Sequence, residues 1–241
     1  MAIITLTTDL GHKDFYQAVL KGSILSQFPS ANIVDITHDI PAFNILQAAF
    51  VLKNAFHYFP KSTVHLIGID SVFNENARYL ALSYSGHYFV GSDNGLFSLL
   101  FDESPSEVVE LTILQDLKLL HFPLSDILAK AAAHLAKGGI LAEIGMPVQT
   151  VKEKISLSPV IEQNMIRGSV IYIDSFQNVI TNINKHVFTE VQRKRDQQRH
   201  GHEHHAAAHQ PERGHVEHLV VGIAAAQDGH RIGDHREIQH H

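Results

Sequence analysis

The first seventy residues alternate between two hydrophobic periods, and that alternation constrains the fold more than any other feature of the chain. Residues 2–7 (AIITLT), 32–36 (NIVDI) and 63–69 (TVHLIGI) are short, β-branched and apolar, as buried strands are. Between them, Tyr16, Val19, Leu20 and Ile24 recur at helical spacing, predicting a helix over 13–27. Ile45, Ala48, Ala49, Leu52, Ala55, Phe56 and Phe59 form a second helical stripe that Pro60 closes. Strand, helix, strand, helix, strand implies a mainly parallel sheet flanked by helices, because parallel neighbours need a crossover connection.

After residue 70 the pattern changes. Segments 79–84 and 88–90 read as a hairpin turned at Ser85-Gly86, and Asp93-Asn94-Gly95 as a turn opening a short helix. An alanine-rich helix is expected over 124–137, stopped by Gly138-Gly139. Residues 147–159 read as a linker, and strands resume at 168–174 and 179–183. The division is therefore an α/β domain over 1–150 and a smaller, mainly β domain over 151–241. Within the second domain, 192–241 is atypical: eleven of the nineteen histidines lie there, and only 219–226 (LVVGIAAA) looks like a strand. The run HGHEHHAAAH is read as an adventitious or solvated segment in preference to an evolved metal site. It misses the zinc-protease pattern, because Ala206 stands where a histidine would be needed.

Composition narrows the function. A formal charge of −6 argues against a nucleic-acid surface. The absence of cysteine excludes thiolate metal sites and thiol nucleophiles. No apolar run approaches a membrane span, and the first residues lack the layout of a secretory signal. The expectation is a cytoplasmic protein acting on a small molecule, with no cofactor and no metal.

Chemistry-bearing residues gather where a parallel sheet presents its ligands, at the carboxyl ends of strands. Asp9 follows the first strand in TTDLGHKDFYQAVLKG, where a phosphate loop would offer bare backbone. A carboxylate there accepts hydrogen bonds from a ribose diol and repels phosphate, or else caps its own turn. Asp14 is expected in the first helical turn, where the dipole favours an acid. Asp70 ends the third strand, and Arg78 begins the hairpin eight residues on. Together they could orient and polarise a water, or form an ion pair that braces the loop. His38 is a proton carrier or, more often for such a histidine, a structural group. Phe43 stacks on a base or staples its helix. His121 either reaches a cleft or, as a lone histidine usually is, serves as a structural group. Asp174 and Asn178 could read a purine edge or simply build a turn.

These motifs together resemble the S-adenosyl-L-methionine hydroxide adenosyltransferase family, relatives of the enzymes that make fluorinated and chlorinated adenosine. The opening resembles T-D-x-G-x-x-D-x-Y-x-x-x-x-K-G, DITHDI resembles D-I-S-H-x-I, and GSDNGLFS resembles P-D-N-G-L. QAAFVLKNAFHYFPKSTVHLIGID and YIDSFQNVITNI resemble two further family segments. The resemblance implies S-adenosylmethionine as substrate, a nucleoside carrying a sulfonium and no phosphate. It implies Asp9, Asp14, Phe43, Asn94, Asp174, Phe176 and Asn178 as substrate-binding residues, and Asp70, Arg78 and His121 as the catalytic set. It also implies a homotrimer whose sites form between the first domain of one subunit and the second domain of its neighbour. The implied reaction is hydrolysis to adenosine and methionine; the alternative is a binding protein of the same fold that has lost turnover.

This sequence departs from the family in places. The usual V-D-P-G-V-G is replaced by IDSVFN, with the arginine one residue further out. Pro123 takes the position of the family histidine, two residues from His121. Gln177 replaces a glycine.

Overall fold

The computed structural model describes residues 2–71, 77–112, 122–154, 158–162, 165–203 and 220–225. They fall into two compact units, Met1–Ile155 and Ser156–His241.

The first unit is built on a seven-stranded sheet. Its strands are β1 (Ile3–Thr8), β2 (Asn32–Thr37), β3 (Val64–Gly68), β4 (Tyr79–Tyr84), β5 (His87–Ser92), β6 (Glu107–Leu111) and β7 (Gly145–Pro147), in the order β2-β1-β3-β5-β4-β6-β7. The β2, β1, β3 and β5 ladders are parallel, while β4 runs antiparallel to β5 and β6, and β7 antiparallel to β6. The mainly parallel α/β class follows from the alternation in the sequence. Strand β3 is buried along its whole length, so it carries a continuous apolar run in place of an alternating one.

Helices cover both faces. On one side α1 (Tyr16–Gln27) and α4 (Ala129–Ala136) pack over Ile4, Leu6, Val64 and Leu66. On the other, α2 (Ile45–Ala55) and α3 (Leu96–Leu100) pack with Phe56, Ile67, Ile69 and Phe89. Leu66 and Ile67 thus face opposite layers, as the period of two requires. One helical stretch runs from Leu124, begins with a π turn over Leu124–Leu128 and continues as α4. It lies so close to β3 that a Cβ on Gly68 would sit 2.3 Å from Leu124 Cδ2. That contact brings the start of the stretch against the carboxyl end of the sheet.

Two expectations shift. Helix α1 begins at Tyr16, three residues after the predicted start, because Gly11 turns the chain with φ +65 and the following polar residues extend the turn. The stretch 56–58 tightens into a 3-10 turn, closing α2 before Pro60.

The core on the α2 side holds a polar line. Thr5 Oγ1 lies 2.7 Å from His65 Nδ1, and His65 Nε2 lies 3.3 Å from His87 Nδ1. Phe89 stacks on the His65 ring, and Phe56 and Phe59 meet it edge-on. Burial, followed by the neighbouring His87, lowers the His65 pKa to about 3. The folded state therefore resists a proton that the unfolded chain accepts below its ordinary value of 6.5. Stability is expected to be fully present above pH 6.5 and to be lost progressively as pH falls toward 3, by roughly several kcal/mol in all. Melting temperatures across that range check this. His65→Asn should flatten the dependence, and an unchanged slope would remove His65 as its source.

In the second unit, β9 (Met165–Ile173) is the central strand. It pairs antiparallel with β8 (Val160–Glu162) at its start and with β10 (Val179–Thr181) at its end, and parallel with β11 (Val220–Ala225). Helix α5 (Lys185–Glu203) follows β10 and has no forerunner in the sequence reading. The Asn184 side chain caps it, accepting a hydrogen bond from the Val187 amide at 2.9 Å. Segment 220–225 forms a strand as read, and the remaining HGHEHHAAAH residues after Glu203 lie outside the described residues.

Candidate functional site

Asp9 is the first residue beyond β1. Its amide donates to Gly68 O at 3.2 Å, extending the β1–β3 ladder by one step. Its carboxylate does not cap its own turn. Instead Oδ2 accepts two amides from other loops, Phe43 N at 3.1 Å and Asp70 N at 3.2 Å. One oxygen thus ties together the ends of β1 and β3 and the loop between β2 and α2. Both donors have left-handed backbones, Phe43 at φ 64 and Asp70 at φ 47. Such conformations are unfavourable by roughly 1–3 kcal/mol outside glycine and persist where surroundings over-determine them. Two of them sharing one acceptor mark the carboxyl edge of the sheet as a specialised place.

Asp70 is exposed at that edge. The carbonyl of the residue before it, Ile69, accepts from Asn94 Nδ2 at 2.9 Å and from Ser71 Oγ at 3.3 Å. Asn94 Oδ1 in turn accepts the Leu96 amide at 3.1 Å, opening α3. Both ends of the Asn94 amide are therefore engaged by the protein. Phe43 is 63% exposed. Asp14 is exposed and lies two residues before α1, outside the helical turn where it was expected.

Arg78 forms two ion pairs, Nη1 to Asp93 Oδ2 at 3.1 Å and Nε to Glu110 Oε2 at 3.0 Å. Asp93 is nearly buried, and its other oxygen accepts the Lys152 amide at 2.8 Å. This is the bracing arrangement that the sequence left open beside the water-polarising one. Among the described residues Arg78 makes no ion pair with Asp70. His121 lies outside the described residues. Its neighbour Phe122 is held through its amide by Asp126 Oδ2 at 3.1 Å.

His38 is fully buried between two partners, Thr8 Oγ1 at 2.7 Å and Asp35 Oδ1 at 3.1 Å. Burial pushes its pKa below the ordinary value; the Asp35 carboxylate opposes this, and Lys21 and His12 add to the lowering. Burial would raise the Asp35 pKa, but hydrogen bonds from Lys21 and His38 hold it below the usual carboxylate value. With Nδ1 bonded to Thr8, Nε2 beside Asp35 and no exposure, His38 joins the ends of β1 and β2 as a structural group.

Sequence reasoning passed over an aromatic rim at the same edge. Phe15 is exposed and packs against Tyr16 at 4.6 Å between ring centroids, and Tyr16 meets Phe122 at 5.5 Å. The signal lay in KDFY, where two adjacent aromatics cannot both face a helix core.

In the second unit, Asp174 organises the turn between β9 and β10. Oδ1 accepts the amides of Phe176 at 2.9 Å and Asn178 at 2.8 Å, and Oδ2 accepts Asn178 Nδ2 at 2.8 Å. The Asn178 side-chain bond leads the interactions that hold the Asp174 pKa below its ordinary value. Phe176 stands out from the turn, 86% exposed. Gln177 has φ 66, which accounts physically for glycine in the family pattern at this position. Among the described residues no group of three or more His, Asp or Glu side chains converges as a metal's ligands would. No described helix is long and apolar enough to cross a membrane.

Comparison with known proteins agrees with this layout. The N-terminal domain of SAM hydroxide adenosyltransferases matches residues 4–145, and the C-terminal domain matches residues 168–218. The (R)-S-adenosyl-L-methionine hydrolase of Methanocaldococcus jannaschii is 35% identical over 191 residues, covering 76% of this chain and 67% of that protein. The enzyme of the same name from Thermus thermophilus is 29% identical, covering 76% of this chain and 75% of that protein. A fluorinase from Nocardia brasiliensis is more distant, 25% identical over 76% of this chain and 71% of its own length. An uncharacterized conserved protein from Thermotoga maritima superposes with a TM-score of 0.71 at 33% identity, over 79% of this chain and 74% of its own. With both domains matched in order and relatives of this identity, the chain belongs to the SAM hydroxide adenosyltransferase family.

Proposed function

We propose that the protein hydrolyses S-adenosylmethionine to adenosine and methionine. The observation that carries this reading is the meeting of two aspartates at the carboxyl edge of β1 and β3, where the Asp9 carboxylate holds the main-chain amide of the exposed Asp70. Support comes from relatives up to 35% identical that are named (R)-S-adenosyl-L-methionine hydrolase.

The reaction is displacement at the ribose C5′. A water oxygen forms the new C5′–O bond while the C5′–S bond breaks. The bonding pair goes to sulfur, so methionine leaves as a neutral thioether and needs no acid. The remaining demand is on the nucleophile, which must be aimed and must lose a proton. In this reading the Asp70 carboxylate takes that proton. Asp9 Oδ1, which has no partner among the described residues, accepts from the ribose hydroxyls. The exposed ring of Phe43 lies against the ligand. Asp14 and Asn94 border the site, and Arg78 and His121 complete the catalytic set that the resemblance implies. Asp174, Phe176 and Asn178 contribute adenine and methionine contacts from the second unit of a neighbouring subunit, in a cytoplasmic homotrimer. No cofactor takes part.

The test is incubation of the purified protein with S-adenosylmethionine, quantifying adenosine and methionine against a protein-free control. Equal release of both is expected. Tight calorimetric binding without release would favour the binding-protein alternative. Formation of a 5′-halo nucleoside when fluoride or chloride is added would assign the nucleophile to halide. Light scattering on the same sample reads the trimer.

A further inference from the structure

The Ile69–Asp70 peptide group is held from both of its ends. Its N–H, on Asp70, donates to Asp9 Oδ2 at 3.2 Å. Its C=O, on Ile69, accepts from Asn94 Nδ2 at 2.9 Å. In a trans peptide these two groups point in opposite directions across one plane. Two side chains from different loops, following β1 and β5, therefore grip the same plane from opposite sides. The plane leads directly into Asp70, whose φ of 47 is uncommon for a residue with a side chain.

The two grips are themselves fixed. Asp9 is anchored by its own amide to Gly68 O and shares Oδ2 with the Phe43 amide. Asn94 is anchored through Oδ1 to the Leu96 amide, and Gly95 beside it takes φ 97, which lets the chain turn into α3. A carboxylate on a free strand end would sample several backbone states. Here rotation of the peptide about its Cα–Cα axis breaks one hydrogen bond on each side.

We infer that Asn94 and Asp9 form a two-sided clamp on the Ile69–Asp70 peptide, and that Asn94 is a positioning residue which aims the Asp70 carboxylate instead of touching the substrate. The inference rests on the reading of Asp70 as proton acceptor in hydrolysis of S-adenosylmethionine. It reassigns Asn94, which family resemblance places among the substrate contacts. One Asn94 N–H is spent on Ile69 O and one lone pair of Oδ1 on the Leu96 amide, so both ends of the side chain are fixed on the protein and the bonds it makes are those of a positioning group.

Asn94→Ser tests this in the full-length protein. Serine still accepts the Leu96 amide as a helix cap but is too short to reach Ile69 O. Asn94→Asp is the second variant, keeping size and acceptor while losing the donor. Two readouts are taken. One is hydrogen exchange of the Asp70 amide by NMR in the ligand-free protein, with Leu66 as the core reference. The other is kcat and KM for S-adenosylmethionine.

The expected result is faster exchange at Asp70 with Leu66 unchanged. It should be accompanied by a kcat reduced about tenfold to a hundredfold at unchanged KM, the signature of lost orientation. Parent-like exchange at Asp70 overturns the clamp whatever the activity. Faster exchange with parent kcat overturns its positioning role. A raised KM at parent kcat returns Asn94 to the ligand contacts and also overturns the inference. If the parent protein releases no adenosine, the hydrolase reading fails separately, and the exchange measurement alone decides whether the clamp exists.

Discussion

Asp70→Asn is expected to end adenosine release while leaving affinity for S-adenosylmethionine within about twofold of the parent, since the change removes proton acceptance and little else. The substitution is cleaner than alanine for a reason visible in the backbone. Asp70 sits at φ 47, a left-handed conformation that asparagine adopts more readily than other residues with side chains. Asparagine also keeps the main-chain N–H that Asp9 holds. Fold and clamp should survive, and the loss should fall on kcat by roughly a hundredfold to ten-thousandfold, the usual range for removing a general base. Turnover in a coupled adenosine assay and affinity by calorimetry check the two halves. A variant with parent turnover would show that Asp70 takes no proton. A variant with normal stability but no binding would move Asp70 into the ligand contacts.

The part of the fold that positions Asp70 was legible because its signals are local. Strand β3 announces itself as an unbroken apolar run, and a parallel strand buried on both faces must end at the ligand-bearing edge. Asp9 and Asp70 could therefore be placed together from spacing alone. The way they meet could not. Asp9 Oδ2 accepts from residues 34 and 61 positions away, and such bonds follow from the exact depth at which each loop leaves the sheet. The β1–β2 register shifts between Leu6 and Thr7, next to Asp9, and no hydrophobic period reports a shift of that kind.

Arg78 shows the same limit from another side. Its partner Glu110 lies on β6, whose sequence EVVEL is too short and too charged at its ends to stand out as a strand. Once β4 pairs with β6, with Leu80 opposite Glu110, an arginine two residues before Leu80 meets that carboxylate directly. The bracing pair was thus hidden with the strand that supplies it. Helix α5 was hidden for a different reason. Its sequence KHVFTEVQRKRDQQRHGHE is polar nearly all round, so it lacks the apolar stripe by which a helix is recognised. Its cap at Asn184 was the available signal, and one residue is a weak one against a background of polar chain.

Asp9 carries two duties that different substitutions should separate. Asp9→Ala removes both oxygens. Affinity should fall by an amount on the order of 1–3 kcal/mol, the value of a ribose hydrogen bond whose partner is left without an acceptor. Turnover should fall as well, because the Phe43 and Asp70 amides lose their shared acceptor and both left-handed residues are then free to relax. Asp9→Asn is different. Its side-chain oxygen can still take the two amides, but its NH2 group faces the ribose and cannot accept from a hydroxyl. The asparagine variant should therefore lose affinity to a similar extent while keeping much more of kcat than the alanine variant does. Measuring kcat and KM for both separates ligand contact from backbone support. If the two variants lose kcat equally, the carboxylate's hold on the loops has no bearing on turnover. If neither loses affinity, Asp9 is a structural knot, and the ribose must find its acceptor elsewhere along the edge.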